Sequence, residues 1–285
     1  MTRQIILYFV VSISIVPLTL NCVFIGGLNP AQASPAATPG SAYLPTITRA
    51  PTWWKPVPGT HWQIQLSGTI DTSFDVQMYD VDLFDAPQAT IDLLHSQGRK
   101  VVCYYSAGSW EDWRPDAGDF PTDVLGNDLE GWLGEKWLDI RRLDVLAPIM
   151  SARLDLAVQK GCDGVDPDNV DGYANASGFP LSYADQITYN TWTAAQAHAR
   201  KMAVGLKNDL DQIPDLLSAY DWALNEQCFQ YNECDLLVPF IQAGKPVFGI
   251  EYQGNPDTFC PLVNSLNFDV LKKHLDLGAW RISCR

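Results

Sequence analysis

The chain has 285 residues, and its 33 acidic side chains outnumber its 19 lysines and arginines, which gives a net charge of −14 at pH 7. Such an acidic protein repels phosphate backbones, so nucleic acid is excluded as an expected partner. The same negative field would concentrate cations, including any polymer that carries amines.

The first 33 residues have the layout of a secretory signal peptide. Arg3 precedes an apolar run that continues to about Val23, and a small-residue cleavage site ends at Ala33. An uncleaved membrane anchor is the alternative, since the apolar run approaches the length of a spanning helix. The cleavage site favours removal, and we therefore expect a secreted, extracellular protein with no membrane attachment after signal cleavage.

The segment 34–52 is rich in Pro, Ala and Ser and predicts a flexible linker. No second low-complexity break follows it. A stretch of this length can form two small domains or one barrel, and the missing break favours one domain over residues 53–285.

Six cysteines remain after signal cleavage, and export makes disulfide bonds the expected state of all six. Cys228 and Cys234 bracket a short loop and are expected to pair with each other. The other two bonds are a hypothesis, namely Cys260–Cys284 and Cys103–Cys162. The closely spaced cysteine or histidine pairs of a zinc site do not occur in the sequence.

Eight short strand-like runs recur along the domain, with helical stretches between most of them. This alternation is typical of parallel strands joined by crossover helices. The predicted strands are Trp62–Leu66, Asp75–Tyr79, Lys100–Tyr105, Asp163–Pro167, Met202–Lys207, Asp221–Asn225, Pro246–Tyr252 and Ala279–Cys284.

Helices are predicted where apolar residues recur at a spacing of three to four, and glycine closes several of them. They are Pro87–Gln97, Pro148–Lys160, Tyr183–Arg200, Ile213–Tyr220, Leu236–Ala243 and Phe268–Leu277. The pattern predicts an α/β protein of one domain, a (β/α)8 or TIM barrel. The link 67–74 is too short for a crossover helix, so the first helix is expected to be missing. A doubly wound sheet is disfavoured because the first strand is not followed by a glycine-rich phosphate turn.

Polar side chains gather where six of the predicted strands end, which is where barrel enzymes carry their chemistry. Acids dominate this set. A pair of carboxyl groups can protonate a leaving oxygen and either attack a sugar carbon or activate water, which is the minimal requirement for breaking a glycosidic bond. Several tryptophans, among them Trp113 and Trp132, supply flat faces on which sugars stack.

Other chemistries fit the sequence less well. The aspartates of 161–171 miss the register of a calcium loop, since Asp171 rather than glycine is the sixth residue counted from Asp166. The four histidines are scattered, which disfavours a catalytic triad and a metal site. The run Tyr104–Gly108 does not match the nucleophile elbow of serine hydrolases.

Five motifs in order resemble glycoside hydrolase family 114, the endo-α-1,4-polygalactosaminidases. They are the runs Asp80–Phe84, Val101–Glu111, Asp163–Asp171, Gly205–Asn208 and Asn225–Cys228. The resemblance extends from about Trp53 to the carboxyl terminus. It implies a TIM barrel that hydrolyses internal α-1,4 bonds in partly deacetylated galactosamine polymers, whose free amines make them cationic. It implies no cofactor and no metal.

Carried over by motif, the resemblance implies that one aspartate of the fourth-strand motif works together with Glu226. Asp166 is the first candidate for the ionised group that attacks or stabilises the sugar, Asp168 is the second, and Glu226 would be the general acid. Further residues are expected to line the cleft by motif and strand-end position, namely Asp80, Asp82, Tyr105, Trp110, Lys207, Asn208, Glu251 and Tyr252. Retention or inversion depends on the carboxyl separation and stays open.

Two alternatives to this function also stay open. One is a barrel that binds carbohydrate without cleaving it. The other is a hydrolase of a different α-linked galactose or galactosamine polymer, because loops rather than the fold decide specificity. The expected partner is a cationic or partly acetylated galactosamine polysaccharide, and the expected oligomeric state is a monomer.

Overall fold

Eight parallel strands form one curled sheet in the computed structural model, which describes residues 53–285. The predicted signal peptide (1–33) and linker (34–52) lie outside the described residues. The strands are β1 Trp62–Gln65, β2 Met78–Asp82, β3 Lys100–Ser106, β4 Ser109–Glu111, β5 Leu125–Asp128, β6 Glu135–Leu138, β7 Gly164–Asp168, β8 Ala203–Lys207, β9 Trp222–Glu226, β10 Val247–Glu251, β11 Asp269–Lys272 and β12 Ile282–Ser283. The main sheet has the order β1-β2-β3-β7-β8-β9-β10-β11-β12, in which only β12 pairs antiparallel.

Seven α-helices connect these strands in the described part of the chain. They are α1 Gln88–Ser96, α2 Leu143–Lys160, α3 Tyr183–Ala199, α4 Ile213–Leu216, α5 Cys228–Tyr231, α6 Val238–Gln242 and α7 Pro256–Ser265. The two long helices have clear end signals, since Ser182 forms a capping box before α3 and Gly161 ends α2 in the left-handed conformation. As predicted, the link between β1 and β2 contains no helix.

The two ends of the parallel sheet, β1 and β11, are joined by side-chain hydrogen bonds. The indole of Trp62 donates to the carbonyl of Asp269 at 2.9 Å, and the ammonium of Lys273 donates to the carbonyl of Ile64 at 2.7 Å. The fold is therefore a (β/α)8-type barrel that lacks some of its helices. None of the helices in residues 53–285 combines the length and the apolar character that a membrane crossing requires.

Trp222 fills the interior of the barrel and lies against two glycines, one on β7 and one on β8. Its side chain is fully buried among apolar side chains from other strands. A Cβ at Gly205 would lie 2.2 Å from the indole nitrogen of Trp222, and one at Gly164 would lie 3.0 Å from the same ring. Only glycine therefore fits at position 205 while the tryptophan occupies the core, and a Cβ at position 164 would require the ring to shift slightly.

The prediction of the eighth strand was wrong. The strand is Asp269–Lys272, inside the segment predicted as the helix Phe268–Leu277, and the segment predicted as the strand Ala279–Cys284 contains only the two-residue β12. Helix α7, which precedes the true strand, was missed. The second strand begins at Met78 rather than Asp75, so Asp80 and Asp82 belong to the strand itself.

A second sheet, which was not predicted, lies between β3 and α2. It contains β4, β6 and β5 in that order, paired antiparallel. We call residues 109–138 the hairpin insertion. Because it follows β3 directly, it stands at the carboxyl end of the barrel strands.

Three disulfides tie the chain together, and they are the three pairs that the sequence analysis expected. Cys103–Cys162 joins β3 to the second residue after α2, Cys228–Cys234 closes the loop after β9, and Cys260–Cys284 fastens the carboxyl-terminal segment to α7.

Candidate active site

Three neighbouring barrel strands end in a charged residue that is followed by a residue in the left-handed backbone conformation. The pairs are Asp168 with Asn169 (φ 60°), Lys207 with Asn208 (φ 53°) and Glu226 with Gln227 (φ 68°). Asparagine accepts this conformation more readily than most residues. The sharp turn leads the chain away and leaves each charged side chain at the rim of the barrel.

Lys207 lies between the two rim carboxylates. Its ammonium is 2.9 Å from Asp168 Oδ1 and 3.9 Å from Glu226 Oε1. The lysine side chain is 3% exposed, whereas those of Asp168 and Glu226 are 17% and 23% exposed. Burial disfavours the ammonium, but Asp168, Glu226 and Asp166 outweigh this effect and raise the pKa of Lys207 well above its usual value. One permanent cation therefore serves both carboxylates.

Asp168 accepts two further hydrogen bonds. Tyr104 Oη donates to its Oδ2 at 3.0 Å, and the backbone amide of Asn169 donates to its Oδ1 at 2.8 Å. Burial and the charge of Asp168 raise the pKa of Tyr104 well above its usual value, so the phenol remains a donor. Together with the Lys207 ammonium, these two donors fix the position of the Asp168 carboxylate at the rim.

Glu226 is held from two sides. The hydroxyl of Tyr252 donates to Glu226 Oε1, and the Oδ1 of Asn208 accepts from the backbone amide of Glu226 at 2.9 Å. Burial and the neighbouring Glu226 raise the pKa of Tyr252 far above its usual value. The glutamate therefore has a neutral donor at one oxygen, while its side chain remains open to the groove.

Asp80 and Asp166 form a buried pair inside the barrel, beneath the rim. Both side chains are fully buried, and neither has another hydrogen-bond partner among the described residues. Burial is the main cause that raises the pKa of both, and for Asp80 the charge of Asp166 is the second. Because two adjacent carboxylates in a low dielectric cannot both be ionised, the pair holds at least one proton.

Arg114 of the hairpin insertion holds two acids on the other side of the site. It contacts both oxygens of Asp82 at 2.9 and 2.7 Å, and Glu111 Oε1 at 2.8 Å. Nearby, Ser109 Oγ donates to Glu135 Oε2 at 3.0 Å, and burial raises the pKa of Glu135 to about 7. Several acids of this region are therefore paired or half protonated.

Three cavities meet at Asn208 and form one groove across the carboxyl ends of the strands. The central cavity (about 310 Å³) contains Asp168, Lys207 and Glu226. The hairpin cavity (about 400 Å³) shares Asp168 and Lys207 with it, and the acidic cavity (about 330 Å³) shares Glu226. A groove with several compartments suits a chain molecule better than a single small ligand.

Several expected residues do lie in this groove. Asp82, Asp168, Lys207, Asn208, Glu226 and Tyr252 line the central cavity. Asp168 and Glu226 thus face the same space, as a catalytic pair from the fourth and sixth predicted strands requires.

Other expected residues do not line any of these cavities. Asp166, the first candidate for the catalytic aspartate, is fully buried one layer below Asp168, as is Asp80 with which it pairs. Tyr105 is fully buried too, because it faces away from the groove that its neighbour Tyr104 lines. The central cavity is therefore lined by Asp168 and Tyr104, and not by Asp166 and Tyr105.

Trp110 and Glu251 were also expected in the cleft. The indole of Trp110 donates to the carbonyl of Ala117 at 3.0 Å, and the ring packs against the core. Glu251 is 1% exposed and accepts from the backbone amide of Phe229 at 2.7 Å, which fixes the loop after Glu226. Both side chains support the site without lining it.

The residues that sequence reasoning missed come mostly from the hairpin insertion. Arg114 and Glu135 were not named, and Trp113 and Trp132 were named only among tryptophans that could stack on sugars. The two tryptophans are 50% and 46% exposed and line the central cavity. Large exposed aromatic rings beside carboxylates are a signal for sugar binding, but the sequence alone does not reveal their exposure.

A barrel of this type, with rim carboxylates facing an open groove and aromatic rings beside them, has the parts that a glycoside hydrolase requires. A sequence model of glycoside-hydrolase family GH114 matches residues 44–285, which supports this class independently. The chain belongs to glycoside-hydrolase family GH114. The resemblance that the five sequence motifs indicated is thereby confirmed.

Individual relatives agree with this assignment. The chain is 46% identical to Ega3 of Aspergillus fumigatus, whose crystal structure contains galactosamine, over 83% of this chain and 100% of that one, with a TM-score of 0.78. The glycoside hydrolase domain of PelA from Pseudomonas aeruginosa shares the fold at 11% identity and a TM-score of 0.63, over 78% of this chain and 98% of that domain. An uncharacterized protein of Deinococcus radiodurans is 28% identical over 262 residues, 79% of this chain and 82% of that protein.

Proposed function

We propose that the protein is a secreted endo-acting α-1,4-galactosaminidase that uses Asp168 and Glu226 as its catalytic pair. The observation that carries the proposal is the arrangement of these two carboxylates in one cavity, on either side of the Lys207 ammonium at 2.9 and 3.9 Å. Two carboxyl groups facing one another across a sugar are what glycosidic cleavage requires.

In the proposed mechanism Glu226 protonates the bridging oxygen while Asp168 attacks the anomeric carbon. The bond between that carbon and the oxygen breaks, and the leaving sugar departs with the proton of Glu226. Glu226 then removes a proton from water, which attacks the glycosyl ester and regenerates Asp168. Lys207, Tyr104 and the amide of Asn169 stabilise the negative charge of Asp168 before and after the ester exists.

The spacing of the pair supports retention of the anomeric configuration. The two carboxylate oxygens cannot be further apart than their two distances to the same ammonium taken together. Retaining enzymes place their carboxyl groups about 5 to 5.5 Å apart, and inverting enzymes about 6.5 to 9.5 Å. The two nearest oxygens, Asp168 Oδ1 and Glu226 Oε1, reach the lower end of the inverting range only if the angle between them at the ammonium exceeds roughly 145°.

The substrate is proposed from charge, shape and likeness together. The groove is open and acidic, which suits an extended polymer with ammonium groups. The relative of 46% identity binds galactosamine in its crystal structure. Three disulfides support export to an oxidising compartment.

The test is hydrolysis of a partly deacetylated α-1,4-linked galactosamine polymer by the purified protein. We expect new reducing ends, rapid loss of chain length and, by NMR, an α-anomer as the first product. Asp168→Asn and Glu226→Gln should each lower kcat by about 1,000-fold in protein that circular dichroism shows to be folded. The matched variant Asp166→Asn should keep at least ten times the activity of Asp168→Asn.

Two results would contradict the proposal. Binding of the polymer without any new reducing ends would instead support a carbohydrate-binding barrel without catalysis. Equal loss of activity in Asp166→Asn and Asp168→Asn would leave the choice of the rim aspartate without support.

A further inference from the structure

The acidic cavity contains carboxylates without counter-ions. Asp171, Asp209, Asp211 and Glu233 line it, and within residues 53–285 none of the four forms an ion pair with lysine or arginine. Burial and the neighbouring acids raise the pKa of Asp171 to about 6 and that of Asp209 to about 8. Crowded carboxyl groups with raised pKa values gain free energy when a cation approaches.

Two buried polar atoms in the same cavity also lack a partner. Asp209 is 4% exposed and Asn225 is 2% exposed, and the Oδ1 atom of each has no hydrogen-bond donor in the described part of the chain. An unsatisfied buried acceptor costs free energy, so such atoms are commonly satisfied by a bound ligand. A ligand that brings several N–H or O–H donors and a positive charge would satisfy both atoms and balance the acids.

The central cavity also contains acids, but its buried ones have partners and much of its wall is apolar. Asp82 and Glu111 are bound by Arg114, and Glu135 accepts from Ser109. Asp85 and Asp276 are exposed to solvent. The wall includes the exposed rings of Trp113 and Trp132. Leucine side chains complete this wall, namely Leu66, Leu129, Leu275 and Leu277. An apolar wall accepts the methyl group of an N-acetyl substituent, which an ammonium group does not require.

The positions of the catalytic pair assign a role to each cavity, and this step rests on the proposed function. Asp168 lines the central and hairpin cavities but not the acidic cavity, whereas Glu226 lines the central and acidic cavities. We assign the sugar that Asp168 attacks to the central cavity, because both acids line it. The leaving sugar, whose oxygen Glu226 protonates, is then assigned to the acidic cavity, which Glu226 lines without Asp168.

We propose that the acidic cavity selects a sugar with a free amine on the leaving-group side of the cleaved bond, while the central cavity accepts an N-acetylated sugar on the other side. The two sides of the cleaved bond therefore have different acetylation requirements. Each cut leaves galactosamine at the new non-reducing end. The new reducing end carries either galactosamine or N-acetylgalactosamine.

The experiment is the sequencing of product ends. A partly deacetylated α-1,4 polymer is digested, the new reducing ends are labelled by borodeuteride reduction, and the fragments are sequenced by tandem mass spectrometry. We expect galactosamine at nearly all new non-reducing ends and both sugars at the reducing ends.

The double variant Asp211→Asn/Glu233→Gln tests the cavity itself, because Asp211 is exposed and Glu233 is only partly buried. We expect N-acetylated sugars to appear at its new non-reducing ends. Its KM for fully deacetylated oligomers should rise about threefold to tenfold, with kcat changed less than twofold. The control Asp92→Asn removes an exposed acid on α1 that lines none of the three cavities, and it should behave as the wild type does.

The outcomes separate the two claims. Cleavage with equal acetylation at both new ends, or an unchanged pattern in the double variant, overturns the role of the acidic cavity and leaves the galactosaminidase in place. The absence of any cleavage of the polymer overturns the proposed function, and this inference with it.

Discussion

Replacement of Lys207 by methionine tests the charge balance of the site most directly. The ammonium lies 2.9 Å from Asp168 and 3.9 Å from Glu226 on a side chain that is 3% exposed. Methionine keeps most of the apolar stem and removes the charge. Both rim carboxylates then lose the counter-ion that they share.

The magnitude follows from Coulomb's law and from the cost of burial. At an effective dielectric constant of about 20, opposite charges 2.9 Å apart attract by about 6 kcal/mol. The desolvation of the ammonium offsets part of this attraction, and loss of one partner of a buried pair commonly costs about 3 to 5 kcal/mol. The variant should therefore lose stability, and it should lose activity because the carboxylate that attacks the sugar no longer has a cation beside it.

The assay is kcat/KM for a soluble galactosamine oligomer between pH 4 and pH 8, together with urea unfolding at each pH. We expect Lys207→Met to lose activity by about 100-fold, because removal of one charged group that stabilises the reacting carboxylate commonly costs that much in kcat. The matched control is Lys245→Met, whose ammonium donates to the backbone carbonyls of Leu217 and Tyr220. It should lose stability and keep its activity. A Lys207→Met profile that superimposes on that of the wild type would refute the reasoning.

Three further predictions concern stability and binding. The raised pKa of Asp209, about 8, means that the folded state binds more protons than the unfolded state between about pH 4 and pH 8, so stability should fall as pH rises through this window. Asp209→Asn should remove part of this fall in stability. A wild-type Tm that does not change with pH would contradict the prediction. Cys228→Ser/Cys234→Ser should lower the free energy of unfolding by about 2 kcal/mol, measured in urea, because the bond closes a short loop; an unchanged midpoint would speak against this. Trp132→Ala should raise KM for the polymer about threefold to tenfold, whereas Trp280→Ala, an exposed tryptophan outside the cavities, should not.

Strand order was predictable because a parallel strand that is covered on both faces is an apolar run of characteristic length. The error at the eighth strand has a physical cause. Residues 268–277 carry apolar side chains at spacings that suit a short strand and a helix equally, and such short runs are ambiguous. The preceding helix α7 was hidden by Pro256 and Pro261, although proline is compatible with the first turn of a helix.

The sequence predicts which strand ends carry the site, but it does not predict how deep in the barrel each side chain lies. Asp166 and Asp168 point to the same side of β7, yet they differ in height by about 6 to 7 Å, which is the rise of two strand residues. That difference separates a fully buried carboxyl from one at the rim. Tyr104 and Tyr105 lie on opposite faces of β3, and Tyr105 was expected in the groove because the sequence of an apolar strand does not indicate which face is inward.

The left-handed residues at the strand ends supply the missing signal. Asn169, Asn208 and Gln227 each follow the last residue of a strand and each have positive φ. Asparagine directly after an acid or a lysine at a strand end therefore marks that preceding residue as the one at the rim. Applied to the sequence, this criterion favours Asp168 over Asp166 without coordinates. It does not recover the tryptophans of the hairpin insertion, whose position depends on a sheet of three short strands.

The buried pair of Asp80 and Asp166 determines how much negative charge Lys207 must balance. If both carboxyl groups were ionised, one ammonium would face four carboxylates, and the desolvation cost of so many buried charges would exceed the attraction. A proton held by the pair removes this conflict, and it leaves the ammonium available to Asp168 and Glu226. Asp166 is then committed to Asp80, whereas Asp168 has solvent access and three donors on its oxygens. The two aspartates of β7 therefore differ in chemistry because they differ in depth, and only the upper one can act as the nucleophile in the proposed mechanism.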